Sequence, residues 1–248
     1  MFVFVIFHSS LTLGKKRTAF FFTLALLFGF FSELFGILYG WVFGPYYYKE
    51  SMRTLLGIMS IQTPLSWAVI IYVCYNLSNL ILSTLSPERS DNVNKSWKYL
   101  LTIILLSSIA GLAAMNLDMI LDPYAVSIGA WTWINGGPYY NIPISNFIGW
   151  FSVVFSCTLI FRASGLYTKR TQNLKEPRIN NQVNQFTIVL VYLSYLIGNA
   201  TLSIDNNHPE FALIGIATML PFILIALLKF ATKQANDKEN IKSRMASK

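Results

Sequence analysis

The sequence predicts an all-α membrane protein: a polytopic helical bundle of about six transmembrane helices, with a seventh possible and both termini cytoplasmic. Three observations predict it. The 248 residues are 54% hydrophobic and only 12% charged, where soluble domains carry roughly a quarter of charged residues. Six apolar runs, at 18–42, 57–83, 97–117, 146–164, 184–204 and 210–230, are long enough for a helix to cross a hydrocarbon core of roughly 30 Å. Finally, with the N-terminus inside, seventeen of the 19 Lys and Arg residues fall on inner segments, and only Lys49 and Arg53 fall outside. Positive charge stays on the cytoplasmic side of a membrane, so this asymmetry predicts an even number of crossings.

Taken in order, Met1–Leu13 is apolar but too short to span, and it lacks the small-residue cleavage site of a signal peptide. Residues 1–17 are thus a short apolar and basic segment before one transmembrane domain, 18–230. Glu33 lies inside the first run, where an ionisable group costs roughly 2.5–3.5 kcal/mol and needs a reason to be there. Gly29, Gly36 and Gly40 share its helical face, so a neighbouring helix can approach and Glu33 should point into the bundle. Gly44-Pro45-Tyr46-Tyr47-Tyr48 follows as an aromatic turn. Pro64 and Trp67 suggest a kink in the second run. Asp118 and Asp122, one helical turn apart, close the third run on the face of Gly111 and Met115, and Pro123 permits the chain to leave the helix there.

The stretch Val126–Trp133 reads as a re-entrant loop or interfacial helix. From its end onward Trp131, Trp133, Tyr139, Tyr140, Asn146 and Trp150 surround a loop without charge after Asp122. Such rings either belt the membrane interface or supply faces that stabilise a cation by roughly 0.5–2 kcal/mol. The lysine-rich residues 231–248 predict a mobile cytoplasmic tail.

Several chemistries are set aside. The net charge of +8 sits in short loops and the tail without a continuous basic face, so no nucleic-acid partner is expected. Cys74 and Cys157 lie in apolar runs, and His8 and His208 are far apart, so no metal site is expected. No phosphate-binding glycine loop, zinc-protease motif or nucleophile elbow is present.

The segments Glu33-Leu-Phe-Gly36, Phe43-Gly44-Pro45-Tyr46-Tyr47-Tyr48, Asp118-Met-Ile-Leu-Asp122-Pro123, Trp131-Thr-Trp133, Gly137-Pro-Tyr139-Tyr140-Asn-Ile-Pro143 and Asn146-Phe-Ile-Gly149-Trp150 resemble the membrane carotenoid hydratases. These are the bacterial carotenoid 1,2-hydratases and archaeal bisanhydrobacterioruberin hydratases. The likeness runs from about residue 18 to 230, and Asn141 stands where the family often has Gly. The resemblance implies carotenoid biosynthesis at the cell membrane: addition of water to the terminal double bond of an acyclic carotenoid end group, without a cofactor. A carboxylic acid protonates one alkene carbon, a tertiary carbocation forms and water captures it. On this reading Asp118 or Glu33 donates the proton and Asp122 positions or deprotonates the water. Trp131, Trp133 and Trp150 line the end-group pocket, with Trp67, Tyr46, Tyr139, Tyr140 and Asn146 as further substrate-binding residues. The implied partners are a carotenoid dissolved in the bilayer, membrane lipid and other carotenoid-pathway enzymes.

Other readings use the same acids. A carotenoid cyclase or isomerase runs on similar cations. Asn116-x-Asp118-x3-Asp122 faintly echoes the magnesium-diphosphate motifs of prenyltransferases, although a second motif is missing. In a proton-coupled transporter the acids would relay protons, but no internal repeat supports it.

Overall fold

Hydrocarbon offers no partner for backbone N–H and C=O groups, so each apolar run satisfies its own as a helix. The computed structural model describes residues 1–82, 96–169 and 181–246. In chain order its elements are α1 (Phe2–Thr12), α2 (Lys15–Tyr39), β1 (Tyr46–Tyr48), α3 (Gln62–Ile81), α4 (Ser96–Ser127), β2 (Trp131–Trp133), α5 (Ile144–Lys169), α6 (Asn181–Asp205) and α7 (Pro209–Ala246). Six of these helices, α2 to α7, are long and apolar enough to cross a membrane. The expected all-α, six-span bundle is therefore what forms. α3 is its central helix, with 72% of its apolar window buried against 33–44% for the other five. Of the basic residues in the charge asymmetry, Arg89, Lys95, Arg170, Lys175, Arg178 and Lys248 lie outside the described residues.

The short N-terminal segment is a helix in its own right, packed with its polar side inward. Val5, His8 and Ser9 are buried while Val3, Phe4 and Phe7 are exposed. His8 Nδ1 lies 2.8 Å from the Tyr72 hydroxyl, and Ser9 Oγ lies 3.0 Å from Thr18 Oγ1. In lipid this inside-out pattern is stable, because the apolar surface faces hydrocarbon and the polar groups pair with one another.

The ends of the elements differ from the sequence expectation in several places. α2 stops at Tyr39 because Gly40 takes φ +68, donating its N–H to Gly36 O while Trp41 N–H reaches Phe35 O. Gly40 thus caps the helix instead of joining the face of Gly29 and Gly36. The run expected to start at 57 begins with a turn, closed by a Leu55–Met59 bridge, and the helix starts at Gln62. Pro64 consequently sits in the first turn of α3, where its missing N–H leaves no helical bond unmade, so it gives no cause for a kink.

α4 does not end at Asp118 and Asp122 but runs through Pro123 to Ser127. Proline removes the N–H that would bond the carbonyl four residues back, that of Met119. The Tyr139 hydroxyl donates to Met119 O at 2.7 Å in its place. Where the sequence suggests a re-entrant loop or interfacial helix, no helix forms between Ser127 and Ile144, and Trp131–Trp133 pairs as an antiparallel strand with Tyr46–Tyr48. α7 continues through the lysine-rich tail to Ala246 as one helix.

Arg162, counted with the flanking cytoplasmic charges, is buried inside α5. Its guanidinium donates to Ser78 Oγ at 2.8 Å, Asn79 Oδ1 at 3.0 Å, Tyr75 O at 3.3 Å and Ser107 Oγ at 3.3 Å, and lies over the Tyr75 ring. It ties α3, α4 and α5 together some sixteen residues, about 24 Å, along α5 from Asn146.

Candidate active site

Alternation along a strand sends every second side chain to one face. In the ribbon β1 and β2, Tyr46 stands opposite Trp133 and Tyr48 opposite Trp131, while Tyr47 and Thr132 face away. The ladder is extended by Lys49 N–H to Ala130 O and Ile134 N–H to Pro45 O, both at 2.9 Å. Trp133 Nε1 donates to Phe43 O at 2.9 Å, which fastens the ribbon to the turn after α2. Four aromatic rings therefore form the inner face of a lid over one end of the bundle.

Beneath that face is a cavity of about 180 Å³, lined by Glu33 from α2, the α3 face that carries Trp67, Asp122 from α4, and Asn146 and Trp150 from α5. Glu33 is buried, and three donors converge on its two oxygens. Tyr48 donates to Oε2 at 3.0 Å, Tyr46 donates to the same oxygen, and Trp67 Nε1 donates to Oε1 at 2.8 Å. Trp67 can approach because residue 29 is glycine; a Cβ there would lie 2.5 Å from Trp67 Cβ. Trp67 also packs on Trp150, with ring centroids 4.3 Å apart, and stacks on Phe43 at 5.8 Å.

A second acidic group meets the same cavity from α4. One amide nitrogen, Asn146 Nδ2, donates to Asp118 Oδ2 at 2.7 Å and to Asp122 Oδ2 at 2.6 Å. Asp122 opens on the cavity, whereas Asp118 lies behind it, fully buried. Among the described residues Asp118 Oδ1 is buried without a hydrogen-bond partner. In the ribbon, Tyr46 and Tyr48 have their phenol pKa values pushed well above the usual range, first by burial and then by the charge of Glu33. Both stay neutral donors.

Of the residues singled out in the sequence, Glu33, Asp122, Tyr46, Trp67, Trp131, Trp133, Asn146 and Trp150 line this one cavity. Three do not. Asp118 reaches it through Asn146, Tyr139 is committed to Met119 O, and Tyr140 packs on Phe211 with ring centroids 4.8 Å apart. Asn141 takes φ +64, a conformation open to Gly and tolerated by Asn above other side chains, which accounts for the departure from the family's usual residue. Phe43 and Tyr48, noted in the sequence only as part of the aromatic turn, and Ser60, Gln62, Thr63 and Ser66, which nothing in the sequence singles out, also line the cavity. The alternation of Tyr-Tyr-Tyr with Trp-Thr-Trp between Gly and Pro turns was the available signal for Tyr48. No group of three or more metal-ligating side chains gathers among the described residues.

A profile of the family described as carotenoid biosynthesis proteins matches residues 1–222. The chain belongs to this family. Its members' common ground places the bundle in carotenoid biosynthesis as a multi-pass membrane protein. Among curated proteins, a bisanhydrobacterioruberin hydratase from Haloarcula japonica is 29% identical over 125 residues, which span 50% of this chain and 38% of that protein. The match thus covers well under half of that relative. No solved structure matches the chain.

Proposed function

We propose that this protein is a cofactor-independent hydro-lyase that adds water to the terminal double bond of an acyclic carotenoid end group. The observation that carries this reading is the pair of carboxyl systems, Glu33 with its three donors and Asp118–Asn146–Asp122, meeting at one aromatic cavity. A cavity of about 180 Å³ has room for an end group of a few carbons with a water molecule, but not for a long polyene. The rest of the chain stays in lipid, which suits a substrate about as long as the bilayer is thick. The relative's name, a hydratase, agrees with this chemistry.

The hydrogen-bond pattern divides the roles. All three neighbours of Glu33 donate to it, so it serves as the carboxylate that balances the cation and accepts a proton from the attacking water. Asp122, paired with Asp118 through a single amide, serves as the proton donor to the alkene carbon. The C=C π electrons take that proton, the tertiary cation rests against the indole faces of Trp67, Trp131, Trp133 and Trp150, and water closes the C–O bond. This gives Asp122 the donor role that the sequence alone suggested for Asp118 or Glu33, and gives Glu33 the water-deprotonating role suggested for Asp122; of the two aspartates only Asp122 lines the cavity.

The positive charge distribution further supports the cell membrane as the location, with both termini cytoplasmic and the ribbon end outside. The prenyltransferase reading loses support, since Asn116 is engaged with α7 through Thr218 O at 3.2 Å and not with the cavity. The test is expression in a host that accumulates acyclic carotenoid, with mass analysis for gain of one water. Hydrated product that vanishes in E33Q and D122N supports the reading; hydration that persists in both overturns it.

A further inference from the structure

One corner of the cavity is polar without belonging to either acid system. Gln62, Thr63 and Ser66 line it from the first two turns of α3; Gln62 and Ser66 are exposed and Thr63 is half-buried. Thr63 Oγ1 lies 3.2 Å from the Tyr48 hydroxyl, and that hydroxyl lies 3.0 Å from Glu33 Oε2. Three oxygens are therefore strung from the buried carboxyl to the open rim. The other two neighbours of Glu33 offer no such path. Trp67 has one N–H and no acceptor, and the Tyr46 hydroxyl bonds Glu33 alone among the described residues.

We propose that Tyr48 and Thr63 form a proton relay between Glu33 and the aqueous rim, which resets Glu33 after each turnover. The proposal rests on the hydration reading. In one turnover a C–H bond forms with the proton of Asp122, the C=C π bond is lost, and a C–O bond forms with water, whose second proton passes to Glu33. The alcohol leaves with Asp122 one proton short and Glu33 one over. Once Glu33 is protonated, the Tyr48 O–H turns from Oε2 to Thr63 Oγ1; Glu33 then gives its proton to the Tyr48 oxygen as Tyr48 gives its own to Thr63 Oγ1, and Thr63 releases one to solvent. Solvent entering the vacated cavity returns a proton to Asp122, so the sum is alkene plus water to alcohol. Burial and the Glu33 charge keep the Tyr48 phenol protonated at rest, so the transfer is concerted and passes through no free phenolate.

Thr63 touches no reacting atom and acts through Tyr48, as a positioning residue, which makes T63V the informative variant: it keeps the shape and removes the hydroxyl. In isolated membranes containing acyclic carotenoid, with protein level checked by immunoblot, T63V is expected to slow hydration by at least about tenfold. It is also expected to raise the solvent deuterium isotope effect, with Y48F at least as slow and T63S close to the parent. The relay is overturned if T63V keeps the parental rate and isotope effect, or if T63S is as slow as T63V with the isotope effect unchanged, which is the mark of packing alone. A parent that makes no alcohol overturns the hydration reading and the relay with it, whereas an active parent with an indifferent T63V overturns the relay only.

Discussion

At Glu33, three donors share two carboxyl oxygens within a spanning helix, a degree of satisfaction that offsets much of the cost of holding an acid there. E33Q places an amide N–H₂ against either the Trp67 N–H or the two tyrosine hydroxyls, and D122N removes the proton that starts the reaction. Each is expected to lower the hydration rate by at least about 100-fold, read as alcohol formed per unit of membrane protein. D118N should do less, because Asp118 meets the cavity only through Asn146. Gly29 makes the Glu33–Trp67 bond possible, since any Cβ would collide with Trp67. G29A is expected to destabilise the protein by about 1–3 kcal/mol, seen as a lower thermal midpoint of the detergent-purified protein, and to lower activity as well. The residue types at these positions announce chemistry in the sequence; which oxygen meets which donor does not, because those contacts join residues up to 34 positions apart.

Among the elements, α4 and the ribbon show how a local rule yields to a distant partner. Pro123 is read from sequence as an exit from the helix, yet α4 continues because the Tyr139 hydroxyl reaches the carbonyl that proline leaves unbonded. Y139F should therefore cost about 1–2 kcal/mol by stranding a half-buried acceptor. P123A supplies a backbone N–H to the same carbonyl, so Y139F made in a P123A background should cost markedly less. A double-mutant cycle of thermal or chemical denaturation checks this, and additive losses would show that the two residues are independent. The ribbon was hidden for a related reason. Three-residue strands carry little periodic signal, and neither strand forms without the other, 83 residues further along the chain by the Tyr48–Trp131 pairing.

For the whole molecule, the charge distribution predicts the side of the membrane on which the cavity opens. Both native cysteines, Cys74 and Cys157, are buried, so a cysteine placed at Lys49 can be labelled without removing them. An impermeant thiol reagent added to intact cells is expected to label K49C and to leave a cysteine placed at Lys16 unlabelled. The opposite pattern would invert the topology. Arg162 has no bearing on that outcome, because it is paired inside the bundle and does not report on a loop.

The sequence by itself determined that the chain enters a membrane, how many times its helices can cross, and which acids and aromatics are out of place in lipid. Those properties are local: span length, apolar composition and the cost of a buried charge depend on neighbours within one helix. Only the tertiary structure decided that Asp122 faces the cavity and Asp118 stands behind Asn146, that Tyr139 serves a helix and not the site, and that Tyr48 and Thr63 connect Glu33 to the rim. Each of these is a hydrogen bond between elements, and a hydrogen bond is fixed by distances of a few tenths of an ångström, which no spacing along one chain segment encodes.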